Sequence, residues 1–128
     1  MIKAIHTLIY SDDPGATRAF LRDVLGWPYV DDVQIEPGWL IFKTGPSEMG
    51  VHPTRGTYEG GSFSYPLHHS ISLICDDVEA TMAELAAKGA EFSGGIQDMG
   101  FGLATMLKLP GAGEILLYES RHAEAYGL

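Results

Sequence analysis

Two stretches decide the fold: SDDPGATRAFL at Ser11–Leu21 and CDDVEATMAEL at Cys75–Leu85. They stand 64 residues apart, half the length of a 128-residue chain. Under that shift Asp12 meets Asp76, Asp13 meets Asp77, Ala16 meets Ala80, Thr17 meets Thr81 and Leu21 meets Leu85. Further on, Gly38 meets Gly102 and Pro46 meets Pro110. The matches fall at equivalent structural places, so the chain reads as two copies of one motif.

Each stretch follows an apolar, β-rich run, IKAIHTLIY in the first half and LHHSISLIC in the second. The paired aspartates are helix caps, and Pro14 suits a first helical turn. Ala16, Ala19, Phe20 and Val24 then recur at helical spacing until Gly26 offers a stop. PYVDDVQIE, GWLIFKT and EMGVHP follow as three short strands separated by turn residues. The second half repeats the order, with strands near 90–97, 102–109 and 114–119. The expected fold is therefore α+β. It comprises two β-α-β-β-β units, residues 1–53 and 67–120, related by a pseudo-two-fold. A Gly-, Ser- and Pro-rich connection spans 54–66, and the polar tail SRHAEAYGL closes the chain.

Bulk properties narrow the function. The length suits one domain with a real core. No apolar run could span a bilayer, and the N-terminus is too polar for a signal peptide, so a cytoplasmic location and no membrane partner are expected. A net charge of −9, with eight Lys and Arg in all, argues against nucleic acid. It suits a neutral or cationic ligand. The single cysteine, Cys75, excludes an internal disulfide. With Ile71 and Leu73 it shares the strand face expected to meet the second helix, so it reads as a buried structural thiol.

HTLIYSDDPGATRAFLRDVLGW, ISLICDDVEATMAELAAKG and LPGAGEILLYE together cover both halves. In these words the chain resembles the vicinal-oxygen-chelate superfamily of glyoxalases, bleomycin-resistance proteins and extradiol dioxygenases. The resemblance implies two curled sheets forming a cup, with the helices outside. It also implies a homodimer. The scaffold hosts isomerases, oxygenases, transferases and binders, so function has to be argued from the site.

In metal-using members, the resemblance implies, four strand positions point into the cup, two per unit, and carry His or Glu. His6 and His52 hold those places in the first unit. The 64-residue shift puts Ser70 and Leu116 at the other two, where Ser is a poor ligand and Leu none. His69, if a β-bulge turns it inward, and Glu114, which has the parity of Leu116, are the weaker substitutes. The expected cofactor is none, or a weakly held divalent metal such as Fe, Mn, Ni, Zn or Mg.

No P-loop, GxSxG or CxxC occurs. The aromatic supply is substantial, and Glu36, Glu48 and Glu114 bring negative charge near the expected cup mouth. The preferred reading is a binding protein that holds an aromatic or cationic compound, with His6, His52, Trp39, His68, Ser70 and Tyr118 lining the cup. The alternative is a divalent-metal-dependent lyase, isomerase or extradiol-type dioxygenase acting on vicinal oxygens.

Overall fold

The two aspartate-led stretches form the two helices, and both are capped in the same way. In a computed structural model that describes residues 1, 3–34 and 38–128, α1 spans Pro14–Asp23 and α2 spans Val78–Ala87. The Asp13 carboxylate accepts the Ala16 N–H at 3.1 Å, and the Asp77 carboxylate accepts the Ala80 N–H at 2.9 Å. Each satisfies a donor that the helix itself leaves unpaired. Beyond α1, Gly26 at φ +69° lets the chain turn back, and the Trp27 N–H reaches the Leu21 carbonyl at 3.1 Å. On α1 the buried residues are Thr17, Phe20 and Leu21, one stripe of the helix.

The architecture is α+β, with eight strands, two helices and sheets of mixed orientation among the described residues. β1 (Tyr29–Asp31) pairs antiparallel with β2 (Leu40–Phe42). β3 (Arg55–Tyr58) and β4 (Gly61–Ser64) form a hairpin. The main sheet has the order β5-β8-β7-β6, built from Ser72–Cys75, Glu114–Ser120, Gly102–Lys108 and Phe92–Asp98. β5 runs parallel to β8; the other neighbours are antiparallel. A register shift between Ser93 and Gln97, with Gly94 at φ +69°, marks a bulge in β6.

Strand parity sorts the main sheet into two faces. Leu107, Ile115 and Leu117 join Phe20 and Leu21 of α1 and Leu85 of α2 in one core, with Leu73 and Cys75 packed against it. The apolar face read for Ile71, Leu73 and Cys75 thus meets the helices through its last two members; Ile71 precedes β5 and is exposed. Full burial of each such aliphatic side chain stabilises by about 1.5–3 kcal/mol. Ala104, Met106, Leu116 and Tyr118 occupy the opposite parity. The second half is closely stitched to the start of α1: the Gly111 carbonyl accepts the Asp12 N–H at 2.8 Å and the Ser11 hydroxyl at 3.0 Å. Gly111 has φ +80°, and a Cβ there would sit 2.6 Å from Ser11 Oγ, so no other residue fits this approach.

Three local expectations are corrected. Residues 3–10, read as the first strand, lie outside any strand and are exposed throughout. So does EMGVHP, read as the fourth, where only Glu48 is partly covered. A strand exists only against a partner, and these two segments make no ladder with each other. Conversely, the connection 54–66 is no plain linker. Glu59 (φ 50°) and Gly60 (φ 77°) form a two-residue hairpin turn with positive φ at both positions, closed by the Tyr58–Gly61 pair.

Candidate functional site

The hairpin's turn and register place Phe63 and Tyr65 beside two of the expected ligand-binding histidines. Phe63 lies opposite Gly56 in the ladder and folds its ring over that glycine; a Cβ on Gly56 would sit 2.8 Å from the ring tip. The His52 and Phe63 ring centroids are 5.3 Å apart, and His52 meets Tyr65 edge-on at 6.0 Å. Phe63 and Tyr65 are 5.6 Å apart, and Tyr65 reaches His68 at 6.2 Å. The result is a continuous wall, imidazole–phenyl–phenol–imidazole. Phe63 is half-buried and the other three are exposed.

Both imidazoles are held in one tautomer. His52 Nδ1 lies 2.7 Å from the Pro53 carbonyl oxygen, and His68 Nδ1 lies 2.8 Å from that of Pro66. A carbonyl only accepts, so Nδ1 carries the proton in each neutral ring and Nε2 keeps its lone pair. The wall therefore offers flat ring faces for stacking and two acceptor nitrogens for a hydroxyl or N–H on a ligand.

A further ring cluster covers the sheet face turned away from the helices. Phe101 meets Tyr118 edge-on at 5.2 Å, and the Tyr118 ring lies 5.7 Å from that of His122. The Tyr118 hydroxyl and His122 Nε2 are 2.8 Å apart, while His122 Nδ1 lies 2.7 Å from the Ala123 carbonyl oxygen. By the same reasoning Nδ1 donates, Nε2 accepts, and the Tyr118 O–H is the donor. Burial, then the nearby Glu48 and Glu124 carboxylates, push the Tyr118 phenol up, so it stays protonated. Glu48 Oε1 stands 3.8 Å from the same Nε2.

The remaining expected residues are dispersed. His6, His69 and Ser70 are exposed and outside strands. His6 and His52 lie on segments that make no ladder, in place of the facing inward positions expected of them. Trp39 is half-buried, with the Arg18 guanidinium 5.0 Å over its ring. Leu116 does share the face of Tyr118. Glu114 accepts the Ser93 hydroxyl and borders a cleft of about 570 Å³ with Glu91, Lys108 and Phe20. A smaller cleft of about 380 Å³ lies at Tyr58, Glu59 and Asp98. Neither holds the histidine wall. Glu36 lies outside the described residues.

A divalent metal of the kind the fold implies needs three or more converging donors. Among the described residues no three His, Cys, Asp or Glu side chains are grouped so as to hold an ion. The donors described on this single chain do not fit one. The sequence shows Phe63 and Tyr65 only as part of the aromatic supply and Glu48 only as charge near the mouth; it does not single out His122, nor the contacts that join these residues. The one signal for His122 is its position four residues after Tyr118, in the chain's polar tail.

A model of the Glyoxalase/Bleomycin resistance protein/Dioxygenase superfamily matches residues 3–111. No curated protein matches the sequence. Among solved structures, a member of the same superfamily from Sphaerobacter thermophilus is 22% identical, with a TM-score of 0.55 over 93% of this chain and 98% of that one. A lactoylglutathione lyase from Agrobacterium tumefaciens is 20% identical, with a TM-score of 0.59 over 92% and 94%. TnmS3, an antibiotic-binding protein from a Streptomyces species, is 19% identical, with a TM-score of 0.57 over 94% and 98%. At these identities the likeness is one of fold.

Proposed function

The chain belongs to the Glyoxalase/Bleomycin resistance protein/Dioxygenase superfamily, and from that premise we propose that it is a small-molecule binding protein for an aromatic or cationic compound. The observation that carries this reading is the continuous wall His52–Phe63–Tyr65–His68. Stacking on such rings contributes about 0.5–1.5 kcal/mol per pair beyond the area buried. The net charge of −9 favours encounter with a cation. TnmS3, which shares the fold, is described as binding an antibiotic. An enzyme acting on vicinal oxygens through a metal is the weaker reading, because the donors among the described residues do not converge.

The test is a titration with ring-bearing probes followed by tyrosine fluorescence. Binding that falls in His52→Ala and Tyr65→Ala, at unchanged melting temperature, supports the reading. Binding untouched by either substitution overturns it.

We also propose that two copies associate. Ile5, Leu8, Tyr10, Met49, Val51 and Leu67 stand 53–97% exposed, concentrated on the two segments whose alternation predicts strands and which make no ladder. Apolar side chains clustered on unpaired chain mark an association surface. Sedimentation showing only monomer at micromolar concentration overturns this. No helix among the described residues is long and apolar enough to cross a membrane. A cytoplasmic location is proposed with it.

A further inference from the structure

Glu48 comes from the first half, yet its carboxylate holds the C-terminal tail. Glu48 Oε2 accepts the Ala125 N–H at 2.6 Å and the Tyr126 N–H at 3.3 Å. Its side chain is 17% exposed, so the carboxylate has lost most of its water and depends on these donors. The other oxygen is less well served. Oε1 faces His122 Nε2 at 3.8 Å, but in the neutral ring that nitrogen is an acceptor and already takes the Tyr118 proton. Two neutral amides crowd Oε2, while Oε1 faces a lone pair.

We propose that Glu48 is the anchoring carboxylate for the amino or amidinium end of a ring-bearing ligand, and that the C-terminal tail is a built-in competitor for it. The proposal rests on the binding reading above and adds to it the ligand's other feature. A charged N–H donor makes a shorter and roughly twice as strong a hydrogen bond to a carboxylate as a neutral amide does. An amidinium presents two such donors side by side, one for each oxygen. Glu48 and His52 lie on one segment four residues apart, a backbone reach of about 14 Å at most. The carboxylate and the start of the ring wall are therefore within the span of one small-molecule ligand and its side-chain contacts.

The tail is built to lift from this point. Up to His122 it is pinned: the Arg121 N–H donates to the Phe101 carbonyl at 2.8 Å, and the Arg121 guanidinium pairs with Asp98 at 2.7 Å. The Ser120 hydroxyl donates to the His122 carbonyl at 3.1 Å. Past His122, among the described residues, the bonds that tie the tail to the rest of the chain are the two amides on Glu48. The Tyr126 phenol, held by Glu124 and pushed up to about 12, and the Leu128 N–H on Ala125 order the tail internally and go with it.

The test uses the full chain, with benzamidine as the charged ring probe and benzyl alcohol as a ring probe without N–H groups. Ala125→Pro removes the shorter amide donor from an exposed tail and leaves the fold intact. Benzamidine should bind it about fivefold tighter than wild type, the value of one hydrogen bond, and should bind Glu48→Gln no better than benzyl alcohol does. In wild type, benzamidine should speed hydrogen exchange at the Ala125 and Tyr126 amides. Equal benzamidine affinity for wild type and Ala125→Pro, or slowed exchange at those amides, overturns the proposal. If benzyl alcohol binds and benzamidine ignores Ala125→Pro, the anchor is wrong and the wall is right. If benzyl alcohol binds no variant while benzamidine follows Glu48, the wall is wrong and the anchor stands. Binding of neither probe overturns both.

Discussion

The Thr17 hydroxyl on α1 donates to the Pro110 carbonyl at 2.5 Å, across 93 residues of sequence. Thr17 is 4% exposed, and its oxygen also contacts the Asp13 carbonyl and the Ser11 hydroxyl. One buried hydroxyl thus ties the first helix to the loop before β8. Thr17→Val keeps the volume and strands the Pro110 carbonyl, while the Asp13 carbonyl keeps the Thr17 N–H at 3.1 Å, so it should cost about 1–3 kcal/mol in chemical denaturation. Thr105 is the contrast. It is 3% exposed, and its hydroxyl has no hydrogen-bond partner among the described residues. Thr105→Val should stabilise by about 1 kcal/mol, since it removes an unpaired polar atom. Opposite signs from one chemical change would establish both assignments; like signs would sink one of them.

The helices are legible in the sequence because capping is local: Asp13 and Asp77 need only the amides three residues on. β6, β7 and β8 are legible because their alternation meets a real partner. Residues 3–10 carry the same alternation and form no strand, since pairing is a property of two segments and the pattern reports only one. The hairpin at Arg55–Ser64 is hidden by its own composition. Its glycines suggest a flexible link, although Gly60 serves the turn and Gly56 seats the Phe63 ring. At the site, His52 and His68 stand out by type and position. Their connection through Phe63 and Tyr65 depends on hairpin register, which no single-residue signal carries. The sequence marks Glu48 only as a charge near the mouth, because its partners lie 77 and 78 residues away on backbone amides.

Cys75 should be a slow thiol. Burial pushes it up, only partly offset by a hydrogen bond with Thr81, and Glu119, Asp76 and Asp77 push it further up. The thiolate is the reactive form, so at neutral pH labelling should lag behind a free thiol. The rate should keep rising with pH beyond the point where a free thiol levels off. Rapid labelling of the folded protein at neutral pH would show β5 to be in the wrong register.

The Arg121–Asp98 contact that pins the base of the tail should be acid-labile. Asp98 is held below the ordinary carboxylate range, first by the Gly100 N–H at 3.0 Å and then by Arg121 at 2.7 Å. A carboxylate with a lowered folded value contributes stability above its unfolded value and loses it as pH falls through the folded one. The tail should therefore stay pinned at neutral pH and loosen only in acid, below the ordinary aspartate range. Arg121→Gln should raise the Asp98 midpoint part of the way, because the Gly100 amide still donates. A full return to the ordinary value, read by carboxyl chemical shift, would show that the amide contributes nothing.

The ring wall depends on a residue with no side chain. Gly56 lies opposite Phe63, and a Cβ there would sit 2.8 and 3.1 Å from the ring's edge atoms. Gly56→Val should expel the Phe63 ring from its seat. That would break the contact between Phe63 and both His52 and Tyr65 without touching the core shared by α1, α2 and the main sheet. Loss of one stacked pair corresponds to about 0.5–1.5 kcal/mol, so a ring-bearing probe should bind roughly two- to tenfold more weakly. The melting temperature should hardly move, since Phe63 is only half-buried and lies outside that core. Chelator should change neither quantity, because the wall binds through ring faces and imidazole acceptors. If Gly56→Val leaves probe affinity intact while His52→Ala abolishes it, His52 acts alone and the wall is not the binding surface.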